Sequence, residues 1–359
     1  MPASFEIACS EGSYRVGIES GLAQKALARS GDTLILHDAY FTKLAERFPN
    51  NSVAVVAEET NKSLDAMPAV ISRMRDLGVN RKTHLIAVGG GITQDIAAFC
   101  ATVFMRGLTW SYLPTTMLSM ADSCIGGKSS INVGKYKNLV GMIYPPEEVL
   151  IDPDFARTLS DEQVVEGLCE AVKICFCKDP ETFNSYIALN AMPGMSPKAL
   201  EDVLGLTLEA KRWFIEIDEF DKAERLLLNF GHTFGHAIES ATHFKISHGT
   251  AVGMGMLCAI ALGKRLGRSY ANAPRVAQLQ AYTEKLLDTV PDKAARLAGV
   301  TAAQCFELCK SDKKHEKDNF VFIAIAADGL IERLKLPKNP DNSATLTAAF
   351  ADILTKYQA

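Results

Sequence analysis

Apolar positions follow two rhythms along this chain of 359 residues. Up to about residue 116, short apolar runs alternate with stretches of helical spacing. DTLILHD (32–38), SVAVVAEE (52–59), THLIAVGGG (83–91) and TWSYLPTT (109–116) predict strands. Between them, SLDAMPAVISRMRDLG (63–78) and DIAAFCATVFM (95–105) predict helices, the first closed by a glycine. Strands separated by helices pack as a parallel sheet of βαβ units.

After about residue 150 the period becomes helical. SDEQVVEGLCEAVKICFC (160–177), SPKALEDVLGLTLEAKRWFIEIDEF (196–220) and the histidine-rich stretch from 231 predict amphipathic helices. Ser160 suits an N-cap, with Gln163 completing a capping box. GTAVGMGMLCAIALGKRLG (249–267) is short for a membrane span and ends in charges, so it predicts a buried core helix. NFVFIAIAADGLIERLKL (319–336) predicts a hairpin and SATLTAAFADILTKYQ (343–358) a final helix. The prolines of YPPEEVLIDPDF (144–155) mark a boundary. The expected organisation is an α/β domain over 1–150 and a mainly α-helical domain over 151–359, in keeping with a chain too long for one small core.

Composition mainly excludes. The formal net charge is −4, so nothing global recruits nucleic acid or an anionic membrane, and a basic site for an anion must be local. The N-terminus lacks a basic segment followed by an apolar one, so it does not read as a signal peptide and a cytoplasmic protein is expected. The cysteines number nine, and Cys100, Cys169, Cys175 and Cys258 stand inside apolar runs, as buried thiols of a reducing compartment do. Cys175 and Cys177 have no second pair to complete a zinc knuckle.

Candidate chemistry concentrates in four places. GGGITQD (89–95) ends a strand and opens a helix, where glycines let backbone approach a pyrophosphate, although it is not the GxGxxG fingerprint. LPTTMLSMADSCIGGKSSINVGKYKNLVG (113–141) sets Lys128, Lys135 and Lys137 among glycines and apolar residues, which suits an anionic ligand. Glu170 and Lys173 share a helix face; alone such a pair is usually a surface salt bridge. GHTFGHAIESATHFKISHG (231–249) holds His232, His236, His243 and His248. One Glu with two His is the composition of an open catalytic zinc site, but spacing does not decide which histidines bind. HExxH is absent. Arg225, Asn229, His232 and His236 would share one face of a continuous helix, a stripe too polar for a core, and we read it as an active-site wall.

These motifs occur together in an order that resembles the 3-dehydroquinate synthase family of sugar-phosphate cyclases: GGG…D, MRG, PTT, DSCIGGK, KN, GLCEAVK, RLLLNFGHTFGHAIE and HGTAV. The likeness runs from about 55 to 325. It implies an N-terminal Rossmann-like NAD-binding domain, a helical metal- and substrate-binding domain, a homodimer, and a lyase of the shikimate route to aromatic amino acids. Carried over by motif, Glu170, His232 and His248 are the metal ligands, for zinc or alternatively cobalt. Asp38, Glu59, Lys62, Gly90, Gly91, Asp95, Thr115, Thr116, Asp122, Lys137, Phe155 and Thr158 match cofactor positions. Arg106 (from the neighbouring subunit), Lys128, Asn138, Asn229 and His236 match the phosphate pocket. Lys211 and Arg225 match the carboxylate side, Lys173 a hydroxyl contact, and Lys313 or Lys314 a late lysine closing over substrate. Asp122, Lys173, Lys211, Arg225, Asn229 and His236 are the expected catalytic residues. His243 is left as a loop or packing residue.

The implied reaction cyclises 3-deoxy-D-arabino-heptulosonate 7-phosphate to 3-dehydroquinate and phosphate. It proceeds by oxidation of a hydroxyl, phosphate elimination, reduction and intramolecular aldol closure, with NAD regenerated. GGGITQD, EAVKIC, DKAER, Thr250 and Ser129 depart from the family's usual residues and suggest a divergent branch. Three rival readings are a cyclase of sedoheptulose 7-phosphate or another sugar phosphate, a metal-dependent polyol or glycerol-phosphate dehydrogenase, and a non-catalytic sugar-phosphate-binding protein. Retention of Asn229, His236, Lys211 and Arg225 favours the carboxylated substrate.

Overall fold

Seven strands make one sheet in the computed structural model, which describes residues 4–10, 12–29, 31–48, 51–134 and 136–359. Lys135 lies outside the described residues. The first six strands are β1 (Ser4–Cys9), β2 (Gly12–Ile18), β3 (Thr33–Asp38), β4 (Asn51–Val55), β5 (His84–Gly89) and β6 (Trp110–Pro114). A separate antiparallel hairpin of β7 (Lys128–Val133) and β8 (Tyr136–Ile143) follows, and then β9 (Glu148–Ile151). The sheet order is β1-β2-β9-β6-β5-β3-β4, antiparallel only at β1–β2 and otherwise parallel. The apolar runs of β3, β5 and β6 are buried, as strands covered on both faces require.

The helices α1 (Leu22–Leu27), α2 (Thr42–Ala45), α3 (Met67–Asp76) and α4 (Gly91–Val103) lie between these strands in sequence. Helix α4 begins at Gly91, four residues before the predicted start, because the chain turns straight from β5 into helix. β4 and β5 flank β3 on opposite sides, so the strand order reverses there. In a parallel sheet the carboxyl ends at such a reversal are where ligands bind. Asp38 and the Gly89–Gly91 turn stand at those ends.

Next come α5 (Asp161–Lys178), α6 (Pro180–Ala188) and α7 (Pro197–Ile217), then α8 (His232–Ala241), α9 (His248–Arg265), α10 (Pro274–Asp288), α11 (Lys293–Leu297) and α12 (Ala302–Cys309). The chain closes with the hairpin β10 (Asn319–Ile325) and β11 (Ile331–Pro337), followed by α13 (Pro340–Gln358). Ser160 caps α5, and the Gln163 side chain accepts the Ser160 amide at 3.0 Å, which completes the expected capping box. All cysteines are free thiols and only Cys9 is not buried. Among the described residues, no helix is long and apolar enough to cross a membrane.

Two units emerge, residues 1–159 with 196–219, and residues 160–195 with 220–359. The chain therefore crosses between units three times, where the sequence suggests one boundary near 150. The proline-marked segment hides β9, which inserts between β2 and β6. Helix α7 returns to the first unit because it serves the sheet edge. Glu216 accepts the Ala8 amide at 3.2 Å, and Arg212 lies over the Phe5 ring at 5.9 Å, so β1 is not left as a bare edge.

Within the second unit, α5 and α9 meet backbone to backbone. A Cβ at Gly249 would overlap the Glu166 carbonyl oxygen and come within 2.6 Å of its carbonyl carbon. Glu166 is one turn before Glu170, and Gly249 follows His248. We predict that Gly249→Ala forces these helices apart and destabilises the protein by about 3 kcal/mol. Gly267→Ala is the control: at φ +84° with open space around it, it costs about 1 kcal/mol. Thermal denaturation compares them, and a Gly249→Ala protein that melts with the unsubstituted chain contradicts the packing argument.

Candidate functional site

In the second unit, α5 carries Glu170 and Lys173 into the core. Glu170 is 0% and Lys173 2% exposed, so their pairing is not the surface salt bridge that such spacing usually means. The Lys173 ammonium contacts Glu170 Oε2. Glu170 Oε1 lies 3.6 Å from His232 Nε2 and 3.3 Å from His248 Nε2, so both imidazoles face it. Each of these histidines is the first residue of its helix.

The donor atoms of His232, His236 and His248 all lie within 4.8 Å of one another. Two donor sets therefore overlap, three imidazoles in one and Glu170 with His232 and His248 in the other. Their partners differ. His232 Nδ1 is 3.3 Å from the Phe230 carbonyl, which fixes that nitrogen as the donor and turns the Nε2 lone pair toward Glu170. His248 Nδ1 is 3.4 Å from Glu239 Oε2. His236 stands beside the late lysine: partial burial of its ring, then the charges of His248 and Lys314, push it down to about 4. Lys314 is thus the lysine of the SDKK pair whose charge acts on this cluster, held by Asp312 at 3.2 Å.

Burial alone would raise the Glu170 carboxyl; Lys173, His232 and His248 instead hold it well below the usual carboxylate range. Burial, with Lys173 and the other imidazoles, drives His232 well below its ordinary value. Burial also opposes charge on His248, but the carboxylates of Glu170 and Glu239 raise it to about 10. A buried carboxylate oxygen faced by the lone pair of one imidazole and the proton of another is an arrangement in which a cation can replace that proton.

The four-residue stripe is broken. Arg225 and Asn229 lie on a 3-10 turn, Glu224–Asn229, and Gly231 at φ 78° separates them from α8. Only His232 and His236 share a helix; a glycine in the left-handed region ends the turn and lets α8 start on His232. Arg225 is buried, and Asn229 Nδ2 donates to the Leu226 carbonyl at 3.0 Å. His243 is exposed in the loop after α8.

In the first unit a second polar network forms. Lys62 Nζ donates to Asp95 Oδ2 at 2.9 Å and to Asn138 Oδ1 at 2.8 Å. Asp95 Oδ1 accepts the Ser130 amide at 3.0 Å. Asn138, at φ 53°, gives its amide to Asn132 Oδ1 at 2.8 Å, and Asn132 Nδ2 reaches Glu59 Oε1 at 2.9 Å. Lys137 lies 3.9 Å from the same Glu59 oxygen. Expected cofactor residues Glu59, Lys62, Asp95 and Lys137 therefore join expected phosphate residue Asn138. Nearby, Gly90 leaves room for Thr116, whose Cγ2 would lie 2.8 Å from a Cβ there.

Asp122 Oδ1 pairs with Lys211 Nζ at 2.6 Å, and that ammonium also donates to the Ile125 carbonyl at 3.2 Å. Asp38 caps the turn after β3 by accepting the Tyr40 amide at 3.0 Å. Thr115 is buried directly after β6. Phe155 packs edge-on against Phe41 at 5.2 Å, and Thr158 donates to the Phe155 carbonyl at 2.7 Å. Arg106, at φ 73°, is exposed after α4 and joins none of these clusters, and Lys128 is exposed at the start of β7.

Sequence reasoning missed Glu239, Ser130, Asn132 and Asp312. Glu239 was within reach: it lies three residues after His236 and seven after His232, on the same helix face. Ser130 and Asn132 alternate along β7 and so share a face; only pairing with β8 shows what that face meets.

Comparisons with known proteins agree over most of the chain. Residues 52–166 match the family model described as 3-dehydroquinate synthase N-terminal, and 167–315 match 3-dehydroquinate synthase C-terminal. A 3-dehydroquinate synthase of Endomicrobium trichonymphae is 35% identical over 297 residues, 81% of this chain and 79% of that protein. A structure of 2-deoxy-scyllo-inosose synthase complexed with carbaglucose-6-phosphate, NAD+ and Co2+ superimposes with TM-score 0.82 at 24% identity, covering 97% and 99% of the two chains. The 2-epi-5-epi-valiolone synthase of Streptomyces hygroscopicus subsp. jinggangensis 5008, with NAD+ and Zn2+ bound, gives 0.78 at 25% identity over 97% and 99%.

The histidine environments predict distinct protonation. In metal-free protein at pH 7.5, below the His248 value of about 10 and above the His236 value of about 4, His248 carries a proton and His236 does not. His232 is neutral as well. Imidazole nitrogen NMR reads this directly, and a neutral His248 at that pH contradicts the role given to Glu170 and Glu239.

Proposed function

This chain belongs to the 3-dehydroquinate synthase family, and from that premise we propose that it converts 3-deoxy-D-arabino-heptulosonate 7-phosphate to 3-dehydroquinate and phosphate. The cofactors proposed are NAD, regenerated in each turnover, and a divalent metal, zinc by its ligand chemistry with cobalt an alternative. The observation that carries the reading is Glu170 Oε1, a fully buried carboxylate oxygen that lies 3.6 and 3.3 Å from the Nε2 atoms of two imidazoles. It supports Glu170, His232 and His248 as the metal ligands, with Phe230 and Glu239 orienting the imidazoles. The cofactor's residues are those around the sheet's reversal point: Asp38, Gly90, Gly91, Thr115, Thr116 and the Glu59–Lys62–Asp95 network, with Asp122, Lys137, Phe155 and Thr158. We place the cofactor-binding domain in the first unit and the metal- and substrate-binding domain in the second.

When bound, NAD supplies a hydride acceptor that is later restored, and the metal supplies a Lewis acid for a substrate hydroxyl. The protein's residues bind and orient. Lys173 neutralises the second Glu170 oxygen and offers a donor to a substrate hydroxyl. His236, Asn229, Lys128 and Asn138 hold phosphate, with Arg106 contributed by the second subunit of a homodimer. Neutral at pH 7, His236 can donate to a phosphate oxygen without a fixed charge that would resist the departure of phosphate. Lys211 and Arg225 face the carboxylate, and Lys314 approaches substrate beside His236. The proposed setting is the cytoplasm.

The test is phosphate release by purified protein with catalytic NAD and zinc. The heptulosonate yields one phosphate per molecule with no net NADH. Sedoheptulose 7-phosphate, which lacks the carboxylate, reacts on the order of a hundredfold less efficiently, because its contacts with Lys211 and Arg225 are lost. Equal turnover of both substrates contradicts the carboxylate assignment, and stoichiometric NADH would make the protein a dehydrogenase.

A further inference from the structure

The glycine turn and the Asp122 segment are tied together by one side chain, that of Gln94. Gln94, in the first turn of α4, is only 5% exposed and spends both ends of its amide on one residue. Its Nε2 donates to the Ser123 carbonyl at 2.8 Å, and its Oε1 accepts from Ser123 Oγ at 2.9 Å. The same Ser123 hydroxyl faces Gly91, where a Cβ would stand 3.8 Å from it.

Ser123 closes the turn Ser119–Ser123, a single π-type turn of the kind often found at functional sites. At the near end, Thr116 and Ser119 hold each other, with 2.9 Å between their hydroxyl oxygens. At the far end, the Gly126 amide donates to the Tyr14 hydroxyl at 2.8 Å. Between these points the turn is gripped by Gln94 on one side and by Lys211 on the other, through the carboxylate and the carbonyl of Asp122. A displacement of Ser123 would carry Asp122 with it, and with Asp122 the Lys211 ammonium.

We propose that Gln94 is a positioning residue: its clasp on Ser123 sets Asp122 and Lys211 relative to the Gly90–Gly91 turn and thereby determines how tightly the first unit binds NAD. This rests on the reading that the first unit is the cofactor site. Without the two bonds, part of the ordering of this turn falls on NAD binding, a loss of roughly tenfold in affinity.

The experiment measures the NAD+ dissociation constant by equilibrium dialysis on the full chain, with KM for NAD+, kcat and melting temperature alongside. It uses Gln94→Leu, which keeps the bulk and loses both bonds, together with Ser123→Ala and the double variant. Gln94→Leu weakens NAD+ binding about tenfold, Ser123→Ala, which keeps the bond to the Ser123 carbonyl, weakens it by a smaller factor, and each raises KM for NAD+ by more than it lowers kcat. The double variant is no weaker than the worse single, because one clasp is removed only once. Should Gln94→Leu not fold, Ser123→Ala carries the test. Lower melting temperatures with unchanged NAD+ affinity would make the clasp merely structural and overturn the proposal. If the unsubstituted protein does not bind NAD+, the cofactor reading falls and the proposal falls with it.

Discussion

The contact between the Gly249 backbone and the Glu166 backbone governs the second unit. Because no side chain stands between α5 and α9 there, the helices close until His248 lies beside Glu170. The chemistry follows from that distance. A carboxylate in a fully buried position costs several kcal/mol of lost hydration, and Lys173 compensates only one of the two Glu170 oxygens. The other oxygen faces His232 and His248, and there we propose the metal is held. The first unit works on a different principle: Lys62, Asp95 and Asn138 hold one another by hydrogen bonds before any ligand arrives.

Much of this organisation was legible as pattern. The buried runs of β3, β5 and β6, the capping box at Ser160 and the late hairpin all rest on local rules, and each formed as read. What escaped was non-local. β9 has only the four residues EVLI between prolines, and its partners β2 and β6 lie far away in sequence. The β7–β8 hairpin is rich in glycine, lysine and serine and reads as a loop, because its pairing, more than its apolarity, holds it. Helix α7 has an unremarkable amphipathic pattern, and nothing in it says that it returns to β1.

The candidate site was legible in a different way. Helical spacing alone pointed to His232 and His236 as a pair, and the two imidazoles are indeed close, with ring centroids 5.4 Å apart. Spacing could not show that Glu170 reaches His232 and His248 from another helix; family motifs supplied that set. Extending the same helical face through Arg225 and Asn229 failed, because the glycine before His232 resets the chain. Periodicity is a statement about one continuous helix, and it carries no warning where the helix begins. Partners such as Glu239 and Asn132 have no motif of their own and appear only once the residues they orient are placed.

The central claim is that one histidine cluster serves two adjoining tasks, with His236 left off the metal. X-ray absorption spectroscopy of the cobalt-loaded protein and of its His236→Ala variant tests it most directly, since outer-shell scattering counts imidazoles. The account predicts two imidazoles with carboxylate oxygen in both proteins, at equal metal content. Three imidazoles in the unsubstituted protein, with one imidazole and metal occupancy lost in the variant, would contradict it and assign the site to His232, His236 and His248.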